Sequence, residues 1–408
     1  MSGGTHARQA TCTYYSDPCS NDRNSKLVKG TIAMKKTLLA TAIAGALGVS
    51  AAAQAATVYD QDGTQVDVYG RINFGLTTGG LDGHNTDDQG RVIKESGSEF
   101  IDVFSRFGFR ARHQVSSDLL AFANMEIRPQ LDRQHNSSPQ IRNSFVGLTS
   151  DPFGTVRVGN FDGMVYQAIT GLFEIQEYEG YTTLSGGATA ARGDSIAYST
   201  PDLEGFQAHV QAKHLSGNNA PMGGFTDPDT GEWVEVDNSS TQSWQSAVTY
   251  TWNDLFLGLG YNQSKDVEDR GASYDGGGAN PAGEDVWVGA VVYDFTPAFR
   301  LGVKYEEVTD LHDQDRIAAD AEDSIENMWT LMGVFDYGMG ELYADYNRVR
   351  YALDGVDSGN RWTLGANYRF SQPMYVWAEV VDYDFDSDQS ISDIDDDLRL
   401  TVGVRYDF

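Results

Sequence analysis

The sequence predicts an all-β fold, a 16-stranded antiparallel up-and-down transmembrane β-barrel with an inward-folded third long loop. Three observations carry that expectation. Apolar and polar residues alternate with period two in runs of roughly ten residues, about the length of a tilted membrane strand. The links between runs alternate strictly between long and short. No apolar run is long enough for a membrane helix, and barrel strands hide from hydropathy averages, so the alternation is the signal to read.

Ahead of the barrel, Met34, Lys35, Lys36 and Thr37 open a second apparent start. Residues 38–49 form a short apolar core, and Ala53, Gln54 and Ala55 make a small-x-small cleavage site. Charge, core and cleavage site in that order read as a signal peptide over residues 34–55, with the barrel spanning 56–408. Residues 1–33 carry no usable pattern and read as a mis-assigned upstream extension, because a signal peptide works at an N-terminus. Both cysteines, Cys12 and Cys19, lie in that extension, so the mature chain makes no disulfide and needs another source of stability. A closed sheet in lipid supplies one. Residues 1–55 hold six of the 29 basic and two of the 59 acidic residues, which leaves a formal charge of −34 on the remainder. That charge excludes a nucleic-acid partner.

The first run, 65–76, places Val66, Val68, Ile72, Phe74 and Leu76 on one face and Gln65, Asp67, Tyr69, Arg71 and Asn73 on the other. Further runs follow at 100–115, 119–132, 141–150, 154–161, 194–200, 205–215, 243–252 and 255–262. The series continues through 285–295, 298–306, 326–337, 341–351, 361–370, 374–385 and 397–408, which makes sixteen. In the last run Leu398, Leu400, Val402, Val404, Tyr406 and Phe408 oppose Arg399, Thr401, Arg405 and Asp407. Alternation alone would also suit a soluble sandwich. The connections decide: eight links are long and those between them are tight turns, the pattern of an outer-membrane barrel. Tyr and Trp near the strand ends suit the two interfacial girdles.

The third long link, residues 162–193, is too long for an ordinary connection and too apolar for a solvated one. Val165, Ile169 and Leu172 recur at helical spacing with Phe173 beside them, which predicts a short amphipathic helix lying against the inner wall. Glu174, Glu177 and Glu179 follow it. On the second run Asp102, Arg106, Arg110 and Arg112 share one face; with Arg71 and Arg142 on neighbouring strands they form a basic ladder facing the lumen. A barrel of this strand number is wide enough for an aqueous channel. Arginines on the wall and glutamates on the loop would set a field across its opening, focused by low-dielectric walls.

Elsewhere the chemistry is bland. Asp382, Asp384, Asp386 and Asp388, then Asp393, Asp395, Asp396 and Asp397, form an acidic stretch without the sixth-position Gly of a calcium loop; it reads as a solvated outer loop, and no metal or cofactor is expected. A hydrolase needs a nucleophile, a base and an orienting acid. His84, His113, His135, His209, His214 and His312 accompany no nucleophile motif, so no enzyme activity is expected.

Five stretches make the chain resemble the general trimeric porins of Gram-negative outer membranes: residues 66–76 (VDVYGRINFGL), 105–126, 142–163, 192–206 and 398–408 (LRLTVGVRYDF). The resemblance implies passive diffusion of small hydrophilic solutes and ions through a homotrimer held in outer-membrane lipid and lipopolysaccharide. It implies a constriction between the third loop and a basic cluster that maps onto Arg71, Arg106, Arg142 and, less closely, Arg192. The loop's carboxylates map onto the segment holding Glu174, Glu177 and Glu179, although the Pro-Glu-Phe-Gly-Gly tip of enterobacterial members is replaced by Gln176, Glu177, Tyr178, Glu179 and Gly180. A short second long link puts a subunit latch in question and leaves trimerisation to the barrel wall. Phe408 resembles the terminal aromatic recognised by the barrel-assembly machinery. The competing expectation is a substrate-selective channel for an oligosaccharide or an anion, which would need a lumenal ladder of aromatics or a lysine-rich constriction.

Overall fold

A computed structural model describes residues 55–78, 85–86, 92–94, 98–129, 131–132, 139–180, 182–185, 194–215, 225–226, 233–234, 241–263, 285–309, 311, 314, 325–384 and 398–408. The upstream extension, the signal peptide up to Gln54, Arg192 and the acidic stretch from Asp386 to Asp397 lie outside those residues.

The chain enters the sheet through β1 (Ala56–Gln61), which turns at Asp62 and Gly63 into β2 (Thr64–Thr78). Both turn residues have positive φ (52° and 73°), the backbone that a two-residue Asp-Gly hairpin uses to match strand twist. The period-two reading starts the barrel at β2 and leaves β1 unassigned. Next come β3 (Ser98–Asp102), β4 (Arg106–Ser116), β5 (Leu119–Arg128), β6 (Gln140–Ser150) and β7 (Gly154–Asn160). After the third long loop the sheet resumes with β8 (Ser195–Ser199), β9 (Phe206–Leu215), β10 (Thr241–Trp252), β11 (Leu255–Gln263), β12 (Asp285–Thr296) and β13 (Phe299–Thr309). It ends with β14 (Ile325–Asp336), β15 (Glu341–Tyr351), β16 (Gly359–Ser371), β17 (Met374–Asp384) and β18 (Arg399–Asp407).

Consecutive strands pair antiparallel, except β3 and β4, which both pair with β2, and β18 pairs back onto β2, so the sheet closes. Eighteen strands make sixteen staves because two staves are composite. The strands β3 and β4 share one edge of β2, with Val103, Phe104 and Ser105 breaking the ladder between them. On the other edge β18 runs along residues 71–78 of β2 and β1 along residues 64–68. At that seam Gly70 and Phe408 exchange backbone hydrogen bonds of 2.8 and 2.9 Å. Among the described residues β1 and β3 each bond only to β2, and the other strands pair on both sides into a closed ring, which is what lets a sheet sit in hydrocarbon.

The burial pattern is inverted relative to a soluble protein. Ile72, Leu76, Val146, Leu148, Leu257, Leu259, Leu331, Leu364, Val402 and Val404 are exposed, while Asn73, Gln211, Lys304, Glu306, Asn347, Arg361 and Glu379 are buried. Each set holds one parity of its strand, so the apolar face looks outward and the polar face inward, as lipid outside and water inside require. Ser243 to Trp252, the least regular run, obeys the same rule: Trp244, Val248, Tyr250 and Trp252 are exposed, and Gln245 and Thr249 are buried.

Candidate functional site

The lumen is organised by the loop after β7. Its first limb forms α1 (Met164–Ala168) and a 3-10 turn (Thr170–Phe173). Gly163 at the start of α1 has no side chain to cap the helix, and the barrel wall does it instead. The backbone N–H of Met164 donates to Gln211 Oε1 on β9 (2.8 Å), and that of Val165 donates to Gln245 Oε1 on β10 (3.2 Å). These two groups would otherwise be orphaned at a helix N-terminus. The expected stripe of Val165, Ile169, Leu172 and Phe173 packs with Ala247, Phe256, Val288, Ala290, Val292 and Met332, all on inward-facing positions of the wall. Gly258 and Gly260 leave room for it: a Cβ on Gly258 would lie 2.9 Å from Ile169, and one on Gly260 would lie 3.1 Å from it.

The tip of the loop crosses to the opposite staves. Glu379 on β17 accepts the backbone N–H groups of Glu177 and Tyr178 and, at 2.8 Å, the Tyr343 hydroxyl. Glu177 receives Arg405 Nη1 at 3.1 Å, Asn73 Nδ2 at 3.2 Å and the Tyr375 hydroxyl. Glu179 receives Arg399 Nη1 at 2.9 Å on both oxygens. Ile101, Val103, Tyr375 and Trp377 form an apolar floor there, with Phe104 and Tyr178 packed on it. Gly180 has a left-handed φ of 105° and passes so close to β16 that a Cβ would fall 2.3 Å from Thr363 Oγ1. Only glycine fits that crossing.

The wall arginines are interleaved with carboxylates. Arg142 pairs with Glu126 at 2.6 Å and with Asp162 at 2.9 Å, and Arg106 approaches Glu126 at 3.8 Å. Arg405 pairs with Asp407 at 3.0 Å, and Arg112 with Asp67 at 2.7 Å. Arg71 lies between Arg106 and Asp407 in the cross-strand register, and Arg110 lies over the Tyr69 ring at 4.8 Å. An unrelieved ladder of like charges in a low-dielectric wall would be costly, and alternation with carboxylates removes that cost.

The structure therefore gathers Arg71, Arg106, Arg110 and Arg142 on β2, β4 and β6, with β5 and its Glu126 between the last two. It separates the three loop glutamates. Glu177 and Glu179 are joined directly to β18 instead of facing the arginines across a gap, because the loop tip is drawn down onto the aromatic floor. Glu174 is exposed and accepts a hydrogen bond from the Tyr166 hydroxyl. Burial, with Glu174 beside it, pushes Tyr166 well above its ordinary pKa, so it stays a donor. Sequence reasoning passed over Arg405, Arg399, Glu126 and Asp162. The parity of the last run already put Arg399 and Arg405 on its polar face, and barrel closure puts that run beside the first.

Residues 40–389 match the family model described as Gram-negative porin. A Halomonas sp. protein named monosaccharide porin is 27% identical over 412 residues, covering 92% of this chain and 100% of that protein. Outer membrane porin F of Salmonella typhi is 26% identical over 402 residues, with the same coverage. Among solved structures, Salmonella typhi OmpF in complex with daunomycin superposes with a TM-score of 0.60 at 22% identity, covering 86% of this chain and 100% of that one. An anion-selective porin from Comamonas acidovorans gives 0.59 at 18% identity, covering 85% of this chain and 100% of that one.

Proposed function

The chain belongs to the Gram-negative porin family, and we propose that it serves in the outer membrane as a general diffusion pore for small hydrophilic solutes and ions. The observation that carries this reading is the inverted barrel: apolar outside, polar and charged inside, closed on itself, with an anchored loop across the lumen. The constriction lies between the wall arginines Arg71, Arg106, Arg110 and Arg142, with Arg405 beside them and Arg192 added by the family likeness, and the loop carrying Glu174, Glu177 and Glu179. Within it the glutamates divide the work. Exposed Glu174 sets the field on passing ions, and Glu177 and Glu179, already neutralised by Arg405 and Arg399, hold the loop in place. A wall that mixes both signs favours low specificity.

Reversal potentials across a planar bilayer under a salt gradient test the assignment. Glu174→Gln shifts preference toward anions and by more than Glu177→Gln does, while Arg106→Gln combined with Arg142→Gln shifts it toward cations. No shift in any of these variants sinks the charged constriction. The competing sugar-selective reading draws on one feature, a lumenal ledge of Phe104 and Tyr178, ring centroids 6.3 Å apart, with the Arg128 guanidinium 4.6 Å over Phe104. Phe104 has a left-handed φ of 56°, the kind of strain that collects at functional positions. Hexose flux that rises linearly with concentration supports the general pore, whereas saturation abolished by Phe104→Gly would favour the selective one.

The outer wall supports assembly as a homotrimer. Exposed tryptophans of the described strands, Trp244, Trp252, Trp287, Trp329 and Trp362, stand on β10, β12, β14 and β16, the arc suited to membrane interfaces. The face of β4 to β7 instead carries Ala111, Ala121, Ala123, Val146, Val156 and Val158 around a groove of about 520 Å³, suited to close approach of a second copy. Ala123→Arg is expected to convert heat-resistant oligomers to monomers on unboiled gels. Export through a signal peptide cleaved before Ala56, and delivery to the barrel-assembly machinery through Phe408, complete the reading. N-terminal sequencing of the membrane form and loss of assembled barrel on deleting Phe408 test these two.

A further inference from the structure

The second limb of the loop, residues 182–185, is held by chemistry unlike that of the first. Where α1 rests on an apolar patch, this limb crosses four charged side chains on β13, β15 and β16. Lys304 and Glu306 pair at 2.7 Å with no side-chain exposure, and Arg361 pairs with Asp345 at 2.7 Å with 1% exposure each. The quartet reaches the limb through directional bonds. Lys304 Nζ donates to the Thr182 carbonyl at 3.0 Å, and Arg361 donates to the Thr182 hydroxyl. Glu306 Oε1 accepts from Thr183 Oγ1 at 2.7 Å, from Ser185 Oγ at 2.8 Å and from the Ser185 backbone N–H at 3.2 Å.

Taking four charges out of a water-filled lumen is expensive, and apolar residues of similar volume would hold a loop as firmly or more so. What buried ion pairs supply that an apolar patch does not is a defined position, because each bond has a direction and each partner left alone is penalised. The same loop contains both solutions, so the difference marks the limb whose placement matters. Five of the bonds above end on backbone or hydroxyl groups of residues 182–185, which leaves that limb little freedom to slide.

We propose that the Lys304–Glu306 and Arg361–Asp345 pairs are positioning residues that fix the aperture of the pore by clamping residues 182–185, and that releasing the clamp widens the solute size limit without opening the barrel. This rests on the reading of the chain as a diffusion pore. Among the described residues none of the four pairs with the constriction arginines Arg71, Arg106, Arg110, Arg142 or Arg405, so they act through the loop.

The test compares wild-type oligomer with Glu306→Gln, Lys304→Met and Lys304→Arg in liposome swelling with glucose and sucrose, and in single-channel recording. Removing one partner of a buried pair shifts the seated limb toward the unseated by roughly a hundredfold or more. The expected result is a sucrose-to-glucose rate ratio raised at least about threefold in Glu306→Gln and Lys304→Met, with noisier open levels. Lys304→Arg, which keeps the charge, stays near wild type. Heat resistance of the oligomer reports the barrel separately. An unchanged ratio and quiet openings in Glu306→Gln overturn the clamp while leaving the pore intact. A ratio that rises only as far as heat resistance falls, or rises equally in Lys304→Arg, also overturns it. A wild-type protein that passes neither sugar overturns the pore reading itself.

Discussion

Ile169 is a point at which the first limb of the loop is sensitive to a small change. Its side chain is fully buried between the loop and the wall and lies against Gly258 and Gly260 of β11. Ile169→Ala removes three buried carbons, worth about 2.4 kcal/mol in transfer alone. The wall behind it is a closed ladder that cannot move in to fill the space, so a cavity term adds to this, within the roughly 2–5 kcal/mol range for such truncations. The barrel ladder is untouched, so the loss falls on the docking of the first limb. At about 1.4 kcal/mol per factor of ten, local opening of residues 164–173 becomes roughly thirtyfold to several thousandfold more frequent.

Native-state hydrogen exchange reads this directly. The Ile169 amide donates to the Val165 carbonyl at 2.9 Å, and the Leu172 amide to the Ile169 carbonyl at 3.2 Å. Both should lose protection by that factor in the variant, while the β11 and β12 ladder amides keep theirs, because sub-global opening is local. Protection at Ile169 that falls by less than about threefold would mean that the stripe does not hold the limb. An equal loss on β11 would mean that loop and barrel open together. Either outcome refutes the reasoning.

Three further outcomes follow from the same geometry. Gly403→Ala would place a Cβ 2.3 Å from the Trp377 ring, displacing it and its 2.9 Å donation from Nε1 to Asn73 Oδ1; overpacking of about 1–3 kcal/mol should lower the temperature at which the oligomer dissociates on gels. Gly180→Ala should shift the loop tip and alter single-channel conductance, and adding Thr363→Ala should restore it only in part, because the left-handed backbone strain remains when the clash is gone. The selectivity effect of Glu174→Gln should fade between 0.1 and 1 M salt, as the Debye length falls from about 10 to about 3 Å; Glu177→Gln should loosen the loop tip and make open levels noisier at both salts, because the pair it breaks with Arg405 is mostly buried.

Much of this molecule was legible by parity. Alternation located the staves to within a few residues, as at 341–351, where expectation and β15 coincide. It assigned the faces of β2 and β18 correctly. What it missed has local causes. The strand β1 is short and exposed along its length, so it offers no buried face to alternate. The break at Val103, Phe104 and Ser105 turns on a positive φ at a phenylalanine, which no residue preference announces. The pairing of Glu177 with Arg405 joins positions 228 residues apart and depends on how the loop tip settles, which periodicity does not describe.

The docking site of the loop was nonetheless written in the chain, in a form that parity alone does not flag. A lumen-facing position in a water-filled barrel should be polar. On β12 the inward positions are Val286, Val288, Ala290 and Val292, all buried, while Trp287, Val291 and Tyr293 face outward and are exposed. On β11 the inward positions include Phe256 beside Gly258 and Gly260. A strand apolar on both faces inside a barrel whose other staves carry Asn, Gln, Thr, Lys and Glu inward cannot be facing water on either side. Some apolar segment has to cover it, and residues 164–173 are the segment that does. The two glycines sharpen the point, since they lower the wall where a β-branched side chain must pass closest. A helical stripe in one long loop and a doubly apolar pair of staves more than eighty residues later are thus two halves of a single packing instruction, and each is unexplained until the other is placed against it.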